Sequence, residues 1–504
     1  MSDQAGLPIP LVSPRLSKTK FLAGLQCQKR VYLDVHHPEW ASRPDPSTQA
    51  MLDMGTEVGE LARCRFPGGL LIGESHRQRE AALDHTASAI TDPTIPAIFE
   101  GAFLYDGVLV RVDILERMPT VSGMATNWRL IEVKSSSRVK NVHVDDLAIQ
   151  RYVLQGMGLN VAAACLMHLN TQYVYRGDAH DLDELFTLKD VSELVAARGL
   201  DVPGQLASMQ GVVSQPEPPS IEPDDHCHTP YECPYWAHCT RDKPARWIYH
   251  LPGSTKNLAE FIREGVTTID EIPAGATLSS VQRRVKENVE WVSPRLSKVL
   301  ADVRYPVHHL DFETIMPGIP CYSETRPYEP IPVQWSNHIE EEPGHWRHQD
   351  YLHVEANDPR EAVTILLLES LGKEGTICVY SSYEQTILER LAERYPSMRA
   401  DLKRVVRRLW DLFPVIRDHY YHPAFCGSYS IKSVLPAVVP SLDYGDLVIQ
   451  EGGSAAQQYY RMVFRETDWI EKDAIGQALR EYCKRDTLAM MELRWALKSR
   501  AAAS

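Results

Sequence analysis

Long apolar runs are missing from this 504-residue chain: none approaches the roughly eighteen consecutive apolar residues that a membrane-spanning helix requires, so no membrane partner is expected. The first twenty residues also lack the apolar stretch and small-residue cleavage site of a secretory signal, and a cytoplasmic location is the corresponding expectation. An excess of positive charge is absent too. With 53 Lys and Arg against 67 Asp and Glu, the net charge is −14, which excludes a general electrostatic sponge for nucleic acid but permits local basic channels beside carboxylate-rich metal sites. Cysteine is scarce, ten residues in all, too few for a disulfide scaffold in a chain of this length, so a cluster among them points to metal. What is present is a globular composition, 44% apolar and 24% charged, which rules out disordered tails, coiled coils and collagen. It suffices for about three domains at ~150 residues each.

Residues 14–36 and 47–66 carry helical apolar periodicity, and the short Val-, Ile- and Leu-rich runs after them read as strands, which makes the N-terminal part mixed α and β. A Pro-rich acidic stretch, 215–225, favours an extended connector ahead of a cysteine cluster at 227–239. Residues 241–303 hold two expected short helices, Asn257 to Glu264 and Leu278 to Val289, and no sharp chemical motif. From Val303 the expected order is strand, long connection, strand, helix, strand, then a final helix from about Asp473 to Lys498. The division is therefore 1–240, 241–303 and 304–504, in an α/β fold class.

The stretch 98–116 reads as two strands about Asp106-Gly107, the strongest short hairpin signal. With those two residues as the loop, pairing partners sum to 213, so Glu100 lies opposite Asp113 with Cβ atoms roughly 5 Å apart. Two like charges so placed repel unless a cation or proton lies between them, and a divalent metal site is the economical explanation; the plain alternative is a solvated face. In the next strand, Trp128 to Lys134, alternation puts Glu132 and Lys134 on one face and Ile131 and Val133 in the core. Acidic ligands beside a lysine are what metal-dependent phosphodiester hydrolysis needs, although exposed strands often alternate such charges.

In this order the residues resemble the RecB-type branch of the PD-(D/E)XK nucleases, over roughly residues 15–240: Glu100, Asp113, Glu132-Val133-Lys134, then Gln150-Arg151-Tyr152 on an expected helix, Asp145 to Gln155. The resemblance implies a restriction-endonuclease-like fold and a role for Gln150 in positioning water or phosphate, against a bland reading as a helix-surface glutamine. The sequence departs from the family pattern in three places. Glycine stands in Gly55-Thr-Glu-Val-Gly59 where a His is usual, Val110 replaces the Gly of Gly-x-x-Asp, and the Gln and Tyr are unusually close.

Cys227, Cys233 and Cys239 recur at equal intervals in a segment whose prolines and aromatics prevent one continuous helix. Three thiolates so close rarely occur without a ligand. RecB-type nucleases with an iron–sulfur staple resemble this layout, one early cysteine and three after the core, which implies Cys27 as the fourth ligand of a four-iron, four-sulfur cluster. Zinc is the alternative, with His226, His228 or His238 as further ligands. The other six cysteines read as small core residues.

The segment Pro306 to Thr314 is a plausible strand on which Asp311 and Glu313 point one way and Leu310 and Phe312 the other. Glu384 follows a second strand and opens a helix, where Ser381-x-x-Glu384 also fits a capping box. On the last helix an apolar stripe of Ile475, Ala478, Leu479, Tyr482, Ala489 and Leu493 is interrupted by Asp486, and a buried lone carboxylate costs several kcal/mol unless paired, metal-bound or at a cleft. Tyr482 lies one turn earlier on that face.

This set resembles the DEDDy exonucleases, a DnaQ-like branch of the ribonuclease H-like fold, and the resemblance implies catalytic or metal roles for Asp311, Glu313, Glu384, Tyr482 and Asp486. Asp is usual where Glu384 stands; Asp411 is a reserve candidate, otherwise a loop cap. The loop Phe425 to Ser433 resembles the family's segment after that motif, with Ser and Lys able to contact phosphate. The whole order resembles a bacterial family labelled a domain of unknown function. The expectation is a two-site nuclease using Mg²⁺ or Mn²⁺, an exonuclease more than an endonuclease, on DNA more than RNA. The alternatives are a ribonuclease, or a nucleic-acid-binding protein with one inactive nuclease domain. Substrate contact is expected from three basic segments, Arg138 to His143, Arg283 to Lys286 and Lys403 to Arg408.

Overall fold

The structure, a computed structural model, describes residues 16–119, 126–253, 255–465 and 467–503; most of the stretch read for a secretory signal lies outside them. The chain divides into two compact units, Met1–Asp242 with Gly318–Pro327, and Lys243–Pro317 with Tyr328–Ser504. Each is mixed α/β. Among the described residues no helix is long and apolar enough to cross a membrane.

In the first unit, β1 (Leu16–Ser17) runs straight into α1 (Lys18–Gln26), whose first turn is capped by the Ser17 hydroxyl accepting from the Lys20 amide. The expected single helical run breaks at Cys27, extended at φ −160°, before α2 (Gln28–His36). After α3 (Pro46–Arg63) come β2 (Leu70–Leu71), α4 (Arg79–Thr91), β3 (Ala97–Tyr105) and β4 (Val108–Arg117). The hairpin turns on Asp106 and Gly107, both left-handed at φ 48° and 74°, the pattern that matches strand twist. Its register is Phe99↔Ile114 and Gly101↔Val112, the expected sum of 213, but Glu100 between them is left-handed at φ 56° and forms no ladder pair with Asp113.

Next, β5 (Asn127–Lys134), α5 (Asn141–Gly156) and β6 (Asn160–Leu169) form a parallel βαβ unit, and β7 (Phe186–Asp190) closes the order β2-β3-β4-β5-β6-β7, with β1 parallel to β4. Ile98, Val110, Leu130 and Leu166 from the sheet and Leu147 and Val153 from α5 are fully buried in one core. That packing fixes which face of α5 meets β5.

In the second unit, β8 (Trp291–Val292) precedes a five-stranded sheet of order β11-β10-β9-β12-β13. Its members are β9 (Val307–Ile315), β10 (Ile331–Glu342), β11 (His345–Leu352), β12 (Thr376–Val379) and β13 (Leu409–Asp411); β14 (Tyr420–Tyr421) pairs with β8. Strands β9, β10 and β11 are antiparallel, and β12 and β13 run parallel to β9. The expected long connection after Asp311 is thus a hairpin and a helix, Arg360–Leu371. Period-two reading missed β10 because Gln334, Ser336, Asn337, His338 and Glu340 are buried on both of its faces. Arg494 of the final helix, Trp469–Ala503, is also buried and paired with Glu340. Gly375, at φ 86°, lets β12 start beside β9: a Cβ there would stand 1.9 Å from the Pro306 carbonyl oxygen.

Candidate metal centres

Glu132 and Lys134, two residues apart on β5, are brought together as expected, with Lys134 Nζ 2.5 Å from Glu132 Oε1. Helix α5 adds two groups. Gln150 is fully buried, not on a helix surface, and its amide donates to Glu132 Oε2 at 2.7 Å and to Asp146 Oδ1 at 2.9 Å, while its Oε1 has no partner. Asp146 also accepts from Lys134 at 2.8 Å. Lys18, at the start of α1, reaches both Glu132 oxygens at 3.0 and 3.1 Å and Asp146 Oδ1 at 3.2 Å. Asp113 accepts from the Val133 amide at 2.8 Å.

Burial opposes charge on Glu132, yet Lys134 and Lys18 outweigh it and hold that carboxyl well below the usual range. Asp113 has weaker compensation: burial and then the Glu132 charge push it up to about 7. Burial and Glu132 also raise Asp146. Glu100 is half-buried and raised by burial, with Glu132, not Asp113, the carboxylate it feels. The like-charge neighbours are therefore Asp113 and Glu132. A hard, all-oxygen donor set with an orphaned buried amide oxygen suits Mg²⁺ or Mn²⁺. Tyr152 of the expected motif lies elsewhere, bonded to Asp106 Oδ2 at 2.9 Å and packed edge-on against Tyr105 at the hairpin turn.

Sequence reading missed Lys18 and Asp146. Asp146 had a signal, since it stands four residues before Gln150 on one helix face. Lys18 had none, because its partner Glu132 is 114 residues away.

Among the described residues, the one group of three metal-ligand atoms within 4.8 Å of one another does not include Cys27, Cys227, Cys233 or Cys239, the four of the expected cluster. Burial raises Cys227, Cys233 (to about 11) and Cys239, and Cys27 adds to each shift. Burial keeps the Cys227, Cys233 and Cys239 thiols protonated, and a bound cation would be what ionises them together. The segment is tied to the early helices by Gln26, whose amide bonds the His226 and Tyr231 carbonyls at 2.7 Å each, and by Tyr235 donating to Asp34 at 2.9 Å. His226 Nε2 is 3.6 Å from Cys227 Sγ; His228 pairs with Glu232, and His238 stacks on Trp40. Of the remaining six cysteines, Cys165, Cys378 and Cys483 are buried, but Cys64 and Cys426 are exposed, and so are not core residues.

In the second unit, ligand atoms of Asp311, Glu313 and Cys483 all lie within 4.8 Å of one another. Cys483 donates to Asp311 Oδ2 at 3.5 Å. Asp486 is buried as expected and accepts from Tyr444 at 2.5 Å, with Tyr482 beside it, 6.3 Å from Tyr444 between ring centroids. Glu384 is buried in the first turn of helix Tyr383–Arg394 and accepts from Ser381 Oγ at 3.1 Å. The expected capping box is replaced by Ser381 Oγ accepting from the Tyr383 amide while donating to Glu384.

Burial raises all four carboxyls, Asp311 and Glu313 strongly, Glu384 to about 7 and Asp486 to about 6; neighbouring carboxylates add to the rise at Asp311, Glu313 and Glu384, while Tyr444 and Lys432 oppose it at Asp486. Glu313, Glu384 and Asp486 are buried and Asp311 is half-buried; their charges act on one another, the Lys432 charge acts on Glu313, and together these acids form a cation-seeking donor set. Asp411 caps helix Leu412–His419 through the Phe413 amide, the bland role, while its charge reaches Glu384. Lys432 is the lysine of the Phe425 to Ser433 loop, but Tyr444 was not singled out in sequence; a tyrosine 42 residues from Asp486 leaves no periodic trace.

In two of the basic segments an arginine is engaged with the fold. Arg408 bonds the carbonyls of Leu371, Gly372, Glu374 and Gly375, and Arg284 bonds the Arg417 carbonyl and lies over Trp291.

A family model described as Domain of unknown function (DUF2779) matches residues 308–430. The match takes in Asp311, Glu313 and Glu384 and ends before Tyr482 and Asp486. No curated protein matches the chain.

Proposed function

We propose that this protein is a metal-dependent nuclease that hydrolyses phosphodiester bonds, DNA in preference to RNA, with a RecB-like PD-(D/E)XK site in the first unit and a DEDDy 3′–5′ exonuclease-like site in the second. The observation that carries it is the set of half-buried Asp311 with buried Glu313, Glu384 and Asp486, whose charges act on one another beside Tyr482. The order β11-β10-β9-β12-β13, antiparallel on one side of β9 and parallel on the other, supports the ribonuclease H-like reading. In the first unit the support is Glu132, Lys134 and Gln150 joined in one bonded cluster on a βαβ unit.

Mg²⁺ or Mn²⁺, when bound, supplies charge stabilisation at the attacking and leaving oxygens. Asp311, Glu313, Glu384 and Asp486 hold that charge in the second unit, Tyr444 fixes Asp486, and the Tyr482 hydroxyl orients the attacking water. In the first unit Asp113, Glu132 and Glu100 would hold the ion, with Gln150 as a positioning residue and Lys134 as the cation for the developing phosphorane charge. Cys27, Cys227, Cys233 and Cys239 would hold a four-iron, four-sulfur cluster, or zinc in its place, joining the two ends of the unit.

The test is digestion of end-labelled single- and double-stranded DNA and RNA with Mn²⁺ or Mg²⁺. Stepwise shortening of DNA that chelation stops is expected. Digestion of RNA alone turns the reading to a ribonuclease, and binding without digestion of any substrate overturns it.

A further inference from the structure

Lys18 is a charged side chain in the first unit's site that the nuclease chemistry above does not use. Its backbone is anchored on both sides, by β1 pairing with β4 (Leu16↔Val108) and by the Ser17 cap of α1. The ammonium is therefore delivered to a fixed place, between Glu132 of β5 and Asp146 of α5, at 3.0 to 3.2 Å from three carboxylate oxygens. Beside that place, Gln150 Oε1 is buried without a partner, and a half-turn of its amide would bring this oxygen to where Nε2 now meets both carboxylates. Glu132, Asp146 and Gln150 would then present an all-oxygen corner of the kind a divalent ion takes.

We propose that Lys18 is a resident cation that fills a second divalent-ion position between Glu132 and Asp146, so that the first unit binds one ion and not two. This rests on the metal reading of the site. The charge count agrees: with all four acids ionised, as a bound ion would require, Glu100, Asp113, Glu132 and Asp146 would carry four negative charges against the two positive ones of Lys18 and Lys134. One divalent ion brings the cluster to neutrality, and a second would leave uncompensated positive charge in a buried setting. The arginines that face Glu100 are engaged elsewhere, Arg111 with the Ile72 and Glu74 carbonyls and Arg63 with Glu60. Tethering the second charge also holds Glu132 in place before the ion arrives.

The experiment counts Mn²⁺ bound by the full-length chain carrying Asp311→Asn, Glu313→Gln, Glu384→Gln and Asp486→Asn, which removes the second unit's carboxylate ligands, with Asp113→Asn added as the zero. One ion is expected in this background, two after Lys18→Gln, and one after Lys18→Arg. Lys18→Gln/Asp146→Asn, which removes the cation together with one of its partners and is the safer variant for folding, should return to one. If Lys18→Gln still binds one ion, or the double variant binds two, Lys18 does not fill an ion position and the proposal is overturned while the metal reading stands. If the background itself binds no ion that Asp113→Asn removes, the metal reading of the unit falls, and the proposal with it.

Discussion

At Asp486 a carboxylate takes a place in the apolar stripe of the last helix, and the cost of burying it is met by the Tyr444 hydroxyl and the nearby Lys432 charge. Asp486 therefore stays held if the neighbouring Tyr482 loses its hydroxyl. Tyr482→Phe should slow digestion by an amount worth about 2–4 kcal/mol, the loss of one positioning group, while Asp311→Ala, which deletes a ligand, should abolish the second unit's activity. Single-turnover rates on end-labelled DNA, in a chain also carrying Lys134→Ala, separate the two losses. A different residue contributes to this unit's acid sensitivity, alongside His309 and His338, whose pKa values burial also lowers. His308 is buried, its Nε2 has no partner, and burial followed by the Arg408 charge lowers its pKa to about 4. The folded state binds the proton less readily than the unfolded chain, whose His titrates near ~6.5. The stabilisation is thus complete above that pH and is lost as the pH falls toward 4, by up to about 3 kcal/mol. Urea midpoints between pH 7 and 4.5 should fall less in His308→Gln than in the wild type.

Among the elements, the β3–β4 hairpin was legible from two residues, because Asp106-Gly107 fixes both the turn and the register of every pair that follows. The local bend at Glu100 was not legible, since no sequence rule predicts a left-handed glutamate inside a strand. That backbone makes a prediction. Glu100→Gly and Glu100→Ala both remove the carboxylate, and both should weaken Mn²⁺ binding, but the glycine variant should be the more stable of the two by about 1 kcal/mol. Equal denaturation midpoints would mean that the bend relaxes once the side chain is gone. Strand β10 escaped a period-two reading because its polar residues are buried, and the partners that satisfy them lie far along the chain, as with Ser336 and His338 on Thr487. The motif residues Glu132, Asp311, Glu313 and Asp486 were legible because each is local to one strand or helix. Lys18, Asp146 and Tyr444 complete the same sites from distant elements.

Across the whole molecule, two units each hold a buried carboxylate set, and the cysteine segment ties the late part of the first unit to its earliest helices. Cys27 stands at the break between α1 and α2, about two hundred residues from its expected co-ligands, so Cys27→Ala should lower the melting temperature of the first unit and release the bound metal. Anaerobically purified wild type should be brown with roughly four irons per chain. One zinc per chain and no colour would assign zinc to the site. We propose that both units are metal-dependent nucleases with separate sites. The most direct measurement is Mn²⁺-dependent digestion of end-labelled DNA by the full-length wild type, Lys134→Ala, Asp311→Ala and the double variant. Each single variant should keep a distinct part of the activity and the double variant none; full activity in the double variant, or none in the wild type, would overturn the two-nuclease reading.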